Sequence, residues 1–222
     1  MGDPVEAHLP DPGRLTELLV TGRRIMVAPA ATPERRTRWT MALVRTPDNT
    51  GWVSLDTTLP NRLLARAFAE AEAEDPPRDA LKELPGWELD RAEATFGASR
   101  FDFLLRRRDG GPEGGAGMIL EAKSVTLVED GRALFPDAVT ARGARHVHEM
   151  AELAQDGMPA TVIFVAQRED VESIEAAWEI DPDFADAMAE ARDAGVRIIG
   201  RRCRVTPEGV TLLPEPVPVL SP

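Results

Sequence analysis

The spacing of apolar residues changes near residue 58, and this change restricts the fold more than any other feature of the chain. Before it, residues 23–28 (RRIMVA), 37–46 (TRWTMALVRT) and 51–56 (GWVSLD) read as three short β-strands separated by turn residues. From LPNRLLARAFAEAEAE onward the period is helical, with Leu63, Leu64, Ala67, Phe68 and Ala71 on one side and acids gathered on the other. A boundary at 58–76 follows, closed by the EDPP break at 74–77. Beyond it the expected order is strand 87–96, strand 100–107, a Gly-rich turn at 110–117, strand 117–128, helix 137–156, strand 160–167 and helix 182–194. A strand pair, 196–205 and 209–213, and a Pro-rich tail complete the chain. Gly157 and Gly195 mark helix stops, and Asp137 and Asp181 or Asp183 mark helix starts. Hairpin-like strands followed by β-α-β-α predict a mixed sheet with helices packed on it.

Charge bears on partners. The 222 residues carry a formal charge of -12, which opposes binding of polyanions, yet the basic residues are unevenly placed. Between Arg23 and Arg45 there are six arginines (Arg23, Arg24, Arg35, Arg36, Arg38 and Arg45) against one acid, Glu34. Between Glu169 and Asp193 there are ten acids and one base, Arg192. Such asymmetry can give an acidic protein a basic face. The single cysteine, Cys203, excludes an internal disulfide framework and fits a reducing interior. No leader-like or membrane-spanning stretch is visible, so the expected location is cytoplasmic, with no membrane partner.

Within the apolar run MILEAKSVTL, Glu121 and Lys123 are two residues apart and project to one side of a strand. Burying either charge alone costs several kcal/mol, so they must satisfy each other or share a polar ligand. Asp102 alternates with Phe101 and Phe103 on the preceding strand, and a short turn between the strands brings it within reach of Glu121. Two close carboxylates repel unless a cation neutralises them. A hard ion such as Mg²⁺ takes carboxylate and carbonyl oxygens, and a lysine beside its water suits phosphodiester hydrolysis. The same spacing also serves a structural ion pair. On the following helix, Val139, Gly143, Val147, Met150 and Ala154 form the expected apolar stripe. Arg142, His146 and Glu149 fall on another face, with Arg145 and His148 nearby, and an Arg and a His one turn apart can grip phosphate. His148 reads as an ordinary surface residue.

The segments LPDPGRLTELL (9–19), TTLPNRLL (57–64), SRFDFLL (99–105), LEAKSVTLVEDGRALFPDAVTARGARH (120–146) and EIDPDFADAMAEARDAGVRIIGRRCRVTPEGVTL (179–212) closely resemble the sugar fermentation stimulation protein family. The resemblance implies an α/β (α+β) protein: a partial OB-like β module over 1–60, then a PD-(D/E)xK restriction-endonuclease-like domain over 61–222, its mixed central sheet flanked by helices. The module is expected to be partial because family members carry a further β stretch before the residue matching His8, where this chain has seven residues. The implied metal ligands are Asp102, Glu121 and the main chain at Ala122, holding Mg²⁺ or Mn²⁺. Lys123 is the motif lysine, and Glu93, His146 and Arg142 assist; Thr95 and Ala141 replace a basic and an acidic residue of the family pattern. Arg23, Arg24, Arg35, Arg36, Arg38, Arg142 and Arg145 are the expected nucleic-acid contacts. The implied activity is divalent-metal-dependent nuclease action on DNA or RNA. The alternative is a non-catalytic DNA-binding regulator of sugar metabolism genes, and a homodimer is open. A sugar-metabolism enzyme proper finds no Gly-rich nucleotide loop or sugar-kinase signature in this chain.

Overall fold

The structure, a computed structural model, describes residues 4–30, 32, 34–71, 81–110 and 117–220. The EDPP break and most of the Gly-rich turn lie outside these residues. Among these residues the fold is mixed α/β, with an N-terminal β module leading into a larger sheet and three helices. The module is one sheet of four strands: β1 (Ala7–His8), β2 (Ile25–Pro29), β3 (Trp39–Arg45) and β4 (Trp52–Ser54), with β3 central. Three of these follow the expected segments, and the two-residue β1 adds a parallel pairing at Trp39 and Thr40.

Helix α1 (Leu59–Ala71) follows at once, burying Leu64, Ala67 and Phe68 as its period requires. Next come β5 (Trp87–Phe96), β6 (Ser99–Arg107) and β7 (Met118–Val125), then β8 (Val128–Glu129) and β9 (Arg132–Phe135). Helix α2 (Ala141–Gln155), β10 (Ala160–Ala166), β11 (Ser173–Ala176), α3 (Pro182–Asp193), β12 (Arg197–Thr206) and β13 (Gly209–Leu212) complete the order. The main sheet runs β13-β12-β10-β7-β6-β5, with β10 parallel to both neighbours and the rest antiparallel. Strand β10, apolar throughout its core, is buried at every position because both of its faces are covered. One face packs on α2 and α3 through Ile119, Val125, Val162, Phe164 and Val147; the other packs on α1 and the module through Leu120, Ile163, Phe68, Leu43 and Trp52.

Several expectations need correction. The strand expected over 117–128 ends at Val125, and a separate hairpin, β8–β9, follows it. Asp130 and Gly131 both have positive φ (49° and 79°), the two-residue turn that favours Asp-Gly, and β9 pairs with β11 in a small third sheet. Helix α2 starts at Ala141 rather than 137: Thr140 is the N-cap, its side chain accepting from Gly143 N–H, while Asp137 instead accepts from the backbone N–H of Arg14 at 3.0 Å. Val139, expected in the apolar stripe, precedes the helix and is 69% exposed. Asp181 does cap α3, accepting from Phe184 N–H, and Gly157 and Gly195 have the left-handed φ of helix stops. The Pro-rich tail is pinned to the fold by bridges from Val217 to Gly200 and from Val219 to Ile174.

Candidate active site

Strands β6 and β7 pair at Leu105↔Met118, Leu104↔Ile119 and Phe103↔Leu120, and extending that register by one step sets Asp102 opposite Glu121. There the ladder opens. The N–H of Ala122 donates to Asp102 Oδ2 at 2.8 Å, and the N–H of Asp102 donates to Glu121 Oε2 at 3.3 Å, so two carboxylates stand in for strand carbonyls. On its other side β7 stays paired to β10 along 119–125, which keeps Glu121, Ala122 and Lys123 in a rigid extended run. A strand residue's N–H and C=O point to the same side, so the Ala122 carbonyl also faces the gap.

The neighbouring ribbon explains how Asp102 reaches that gap. Ala92 pairs with Phe103 and Ala94 with Phe101. Phe103 packs in the α1-side core and Phe101 in the α2-side core, so simple alternation through Asp102, with both phenylalanines on one face, does not hold. The ribbon turns over at Glu93, whose φ of 56° is the left-handed conformation that costs a non-glycine residue about 1 kcal/mol or more. Asp102 therefore lies between the two faces. Its Oδ1 accepts from Asn61 Nδ2 at 2.7 Å, from the first turn of α1. Asn61 had no assigned role in the sequence; the signal available was a polar amide inside TTLPNRLL, three residues before the buried Leu64.

Glu121 is 6% exposed and Lys123 8%. Lys123 Nζ meets Glu121 Oε1 at 2.8 Å, and His146 Nδ1 meets the same oxygen at 2.9 Å. His146 is buried on the inner face of α2, beside Val147 and Met150 and against the ring of Phe101, rather than on the separate polar face expected for it. An ionised carboxylate can only accept, so the short contact has His146 Nδ1–H donating to Glu121, while Arg142 Nε lies 3.5 Å from His146 Nε2 on the other side of the ring. Burial, the largest influence, raises the Asp102 carboxyl above its ordinary range, the Glu121 charge raises it further, and the Ala122, Asn61 and Lys123 contacts only partly offset this. Burial also acts to raise Glu121, but His146 and Lys123 together outweigh it and hold that carboxyl below its ordinary range.

The remaining predicted residues are placed as follows. Glu93 is not brought to the carboxylate pair: its side chain is 69% exposed and faces Arg100 at 3.6 Å. Arg145 pairs with Glu149, and His148 with Glu190. Arg23 is committed to the carbonyls of Thr46, Pro47 and Glu17, and Arg35 to Thr37, whereas Arg24, Arg36 and Arg38 are exposed. Among the described residues no group of three or more His, Cys, Asp or Glu side chains is arranged to hold a metal. Any ion in the gap would rely on two carboxylates, a main-chain carbonyl and water, a donor set suited to hard cations.

Comparison with known proteins agrees with this architecture. Residues 1–55 match the model of the SfsA N-terminal OB domain, and residues 58–209 that of the sugar fermentation stimulation protein RE domain. A sugar fermentation stimulation protein homolog of Shouchella clausii is 43% identical over 209 residues, covering 94% of this chain and 84% of the relative. The Moorella thermoacetica homolog is 42% identical over 213 residues, covering 96% and 85%. A solved structure described as Pyrococcus furiosus SfsA in complex with Ca²⁺ superposes with a TM-score of 0.82 at 26% identity, over 97% of this chain and 86% of that one. The chain belongs to the sugar fermentation stimulation protein family.

Proposed function

We propose that this protein is a divalent-metal-dependent nuclease that binds DNA and hydrolyses its phosphodiester bonds. One observation carries the reading: Asp102 and Glu121 meet where β6 and β7 part, with the Ala122 main chain facing the same gap and Lys123 on Glu121. Two carboxylates against one ammonium leave one negative charge in excess, which a divalent cation between them would offset; burial first, and the Glu121 charge second, hold the Asp102 carboxyl above its ordinary range. The donors fit Mg²⁺ or Mn²⁺, held by Asp102, Glu121 and Ala122; when bound, such an ion acidifies a water and offsets charge on the attacked phosphate. The Ca²⁺ of the Pyrococcus relative supports a metal in this fold. Lys123 lies beside the gap to orient the attacking water, and His146, with Arg142 behind it, keeps Glu121 aimed. The buried single cysteine agrees with a cytoplasmic setting, and no helix among the described residues is long and apolar enough to cross a membrane.

A second reading, a non-catalytic DNA-binding regulator, draws on a different fact: Glu121 Oε1 already accepts from both Lys123 and His146, so part of the site is a satisfied ion network. Incubation of single- and double-stranded DNA and RNA with Mg²⁺ or Mn²⁺ separates the two. Cleavage by the wild type that is lost in Asp102→Ala and Lys123→Ala supports the nuclease. Binding without cleavage by the wild type supports the regulator.

A further inference from the structure

The two buried basic groups of the candidate site are already committed, and the exposed Arg142 is engaged through its Nε. Lys123 and His146 both serve Glu121, and Arg142 serves His146. A phosphodiester arriving at the gap brings negative charge to a place where carboxylates are in excess, so it needs an uncommitted cation beside it. Beyond Ser54, among the described residues, every arginine but one has a side-chain hydrogen bond or ion pair. The exception is Arg91.

Its position follows from the strand register. Arg91 pairs with Leu104, two residues along β6 from Asp102. With roughly 3.3 Å per residue along a strand and about 4.8 Å between strands, its Cα lies about 8 Å from that of Asp102, within reach of an arginine side chain. Leu104 packs against the α2-side core, and residues paired across antiparallel strands share a face. Arg91 thus lies on the side that carries Glu121, Lys123 and His146. It is exposed, on the edge strand of the main sheet. The acids nearest in sequence are occupied: Glu88 and Asp90 face Arg106, and Glu93 faces Arg100.

We propose that Arg91 is the phosphate clamp of this site, its guanidinium gripping non-bridging oxygens of the polynucleotide backbone next to the bond held at the Asp102–Glu121 gap. A guanidinium fork matches two phosphate oxygens at once, and an edge strand lets an extended backbone pass without blocking the gap. The inference rests on a nucleic acid being the substrate.

The test measures fluorescence anisotropy of a labelled single-stranded DNA oligonucleotide, and of its duplex, over a range of salt in Ca²⁺, with oligonucleotide integrity checked on a gel. The proteins are wild type, Arg91→Ala, Arg91→Lys and Arg204→Ala. Arg204 is exposed, pairs with Glu169 and lies on β12, so its removal changes net charge equally at a distance from the gap. Arg91→Ala is expected to weaken binding about tenfold and to lower the slope of log affinity against log salt by about 1, the signature of one lost phosphate contact. Arg91→Lys should keep the slope, and Arg204→Ala should behave as wild type. Equal slopes and affinities for Arg91→Ala and Arg204→Ala would overturn the assignment while leaving nucleic-acid binding intact. Absence of binding by the wild type would remove both the nucleic-acid reading and this one.

Discussion

At the scale of single residues, the two carboxylates behave oppositely, and that is testable without any substrate. Glu121 is the buried counter-charge of Lys123, so Glu121→Gln leaves a buried ammonium without the anion it is hydrogen-bonded to; urea unfolding should show a loss of about 3–5 kcal/mol. Asp102 sits against a like charge, so Asp102→Asn relieves that repulsion at neutral pH while giving up one of the two hydrogen bonds its oxygens accept, and its clean readout is the pH slope of stability. The sign with pH follows from the directions. A carboxyl raised in the fold binds its proton more tightly folded than unfolded, so Asp102 costs stability as pH climbs from the ordinary carboxylate range through its folded pKa. Glu121, lowered in the fold, contributes stability above its unfolded pKa that is lost as pH falls through the folded value. Unfolding measured in EDTA across this range should lose the Asp102 slope in Asp102→Asn only. Cys203 is fully buried with its thiol pushed up to about 12, so a thiol reagent should react only on unfolding.

At the scale of elements, period and punctuation located every helix and most strands, because Leu64, Phe68, Val147 and the β10 run obey the repeat that burial imposes. The hairpin β8–β9 was hidden because its strands are two and four residues long, although the Asp130–Gly131 pair was there to be read. The inward turn of His146 was hidden for another reason: a helix face is polar or apolar by its neighbours, and its neighbour is a buried carboxylate from a strand 25 residues earlier. Asp102 and Glu121 were legible as a pair, but the overturn at Glu93 that aims Asp102 is a backbone event that residue types do not announce. The segment between β1 and β2 gives a prediction of its own. A Cβ on Gly13 would fall on the Asp137 carboxylate, which also accepts the N–H of Arg14. Gly13→Ala should therefore lower stability by about 1–3 kcal/mol, and adding Asp137→Ala should recover part of it in a double-mutant cycle; strict additivity would show that the two do not meet.

At the scale of the whole molecule, the N-terminal module and the larger sheet share one core cluster, beside a smaller one of Leu15, Leu18, Val44, Val53 and Leu55 within the N-terminal part. Leu43 and Trp52 pack with Phe68, Ile163 and Ile199, while Ser54 and Asp56 are tied to Gln167, the residue just past β10, whose amide also reaches Ser124, the residue after Lys123. Calorimetry of the full chain should show a single transition, and a chain begun at residue 58 should expose apolar surface and fail to unfold cooperatively; two separate transitions would contradict this. That shared core is what holds α1, and with it Asn61, against Asp102. The nuclease proposed above needs a divalent ion in the gap between β6 and β7, and anomalous difference density from crystals soaked in Mn²⁺ would locate it. One ion is expected between Asp102 and Glu121, within bonding distance of the Ala122 carbonyl, and none in crystals of Asp102→Asn. Saturating Mn²⁺ that leaves this gap without density in the wild type would contradict it.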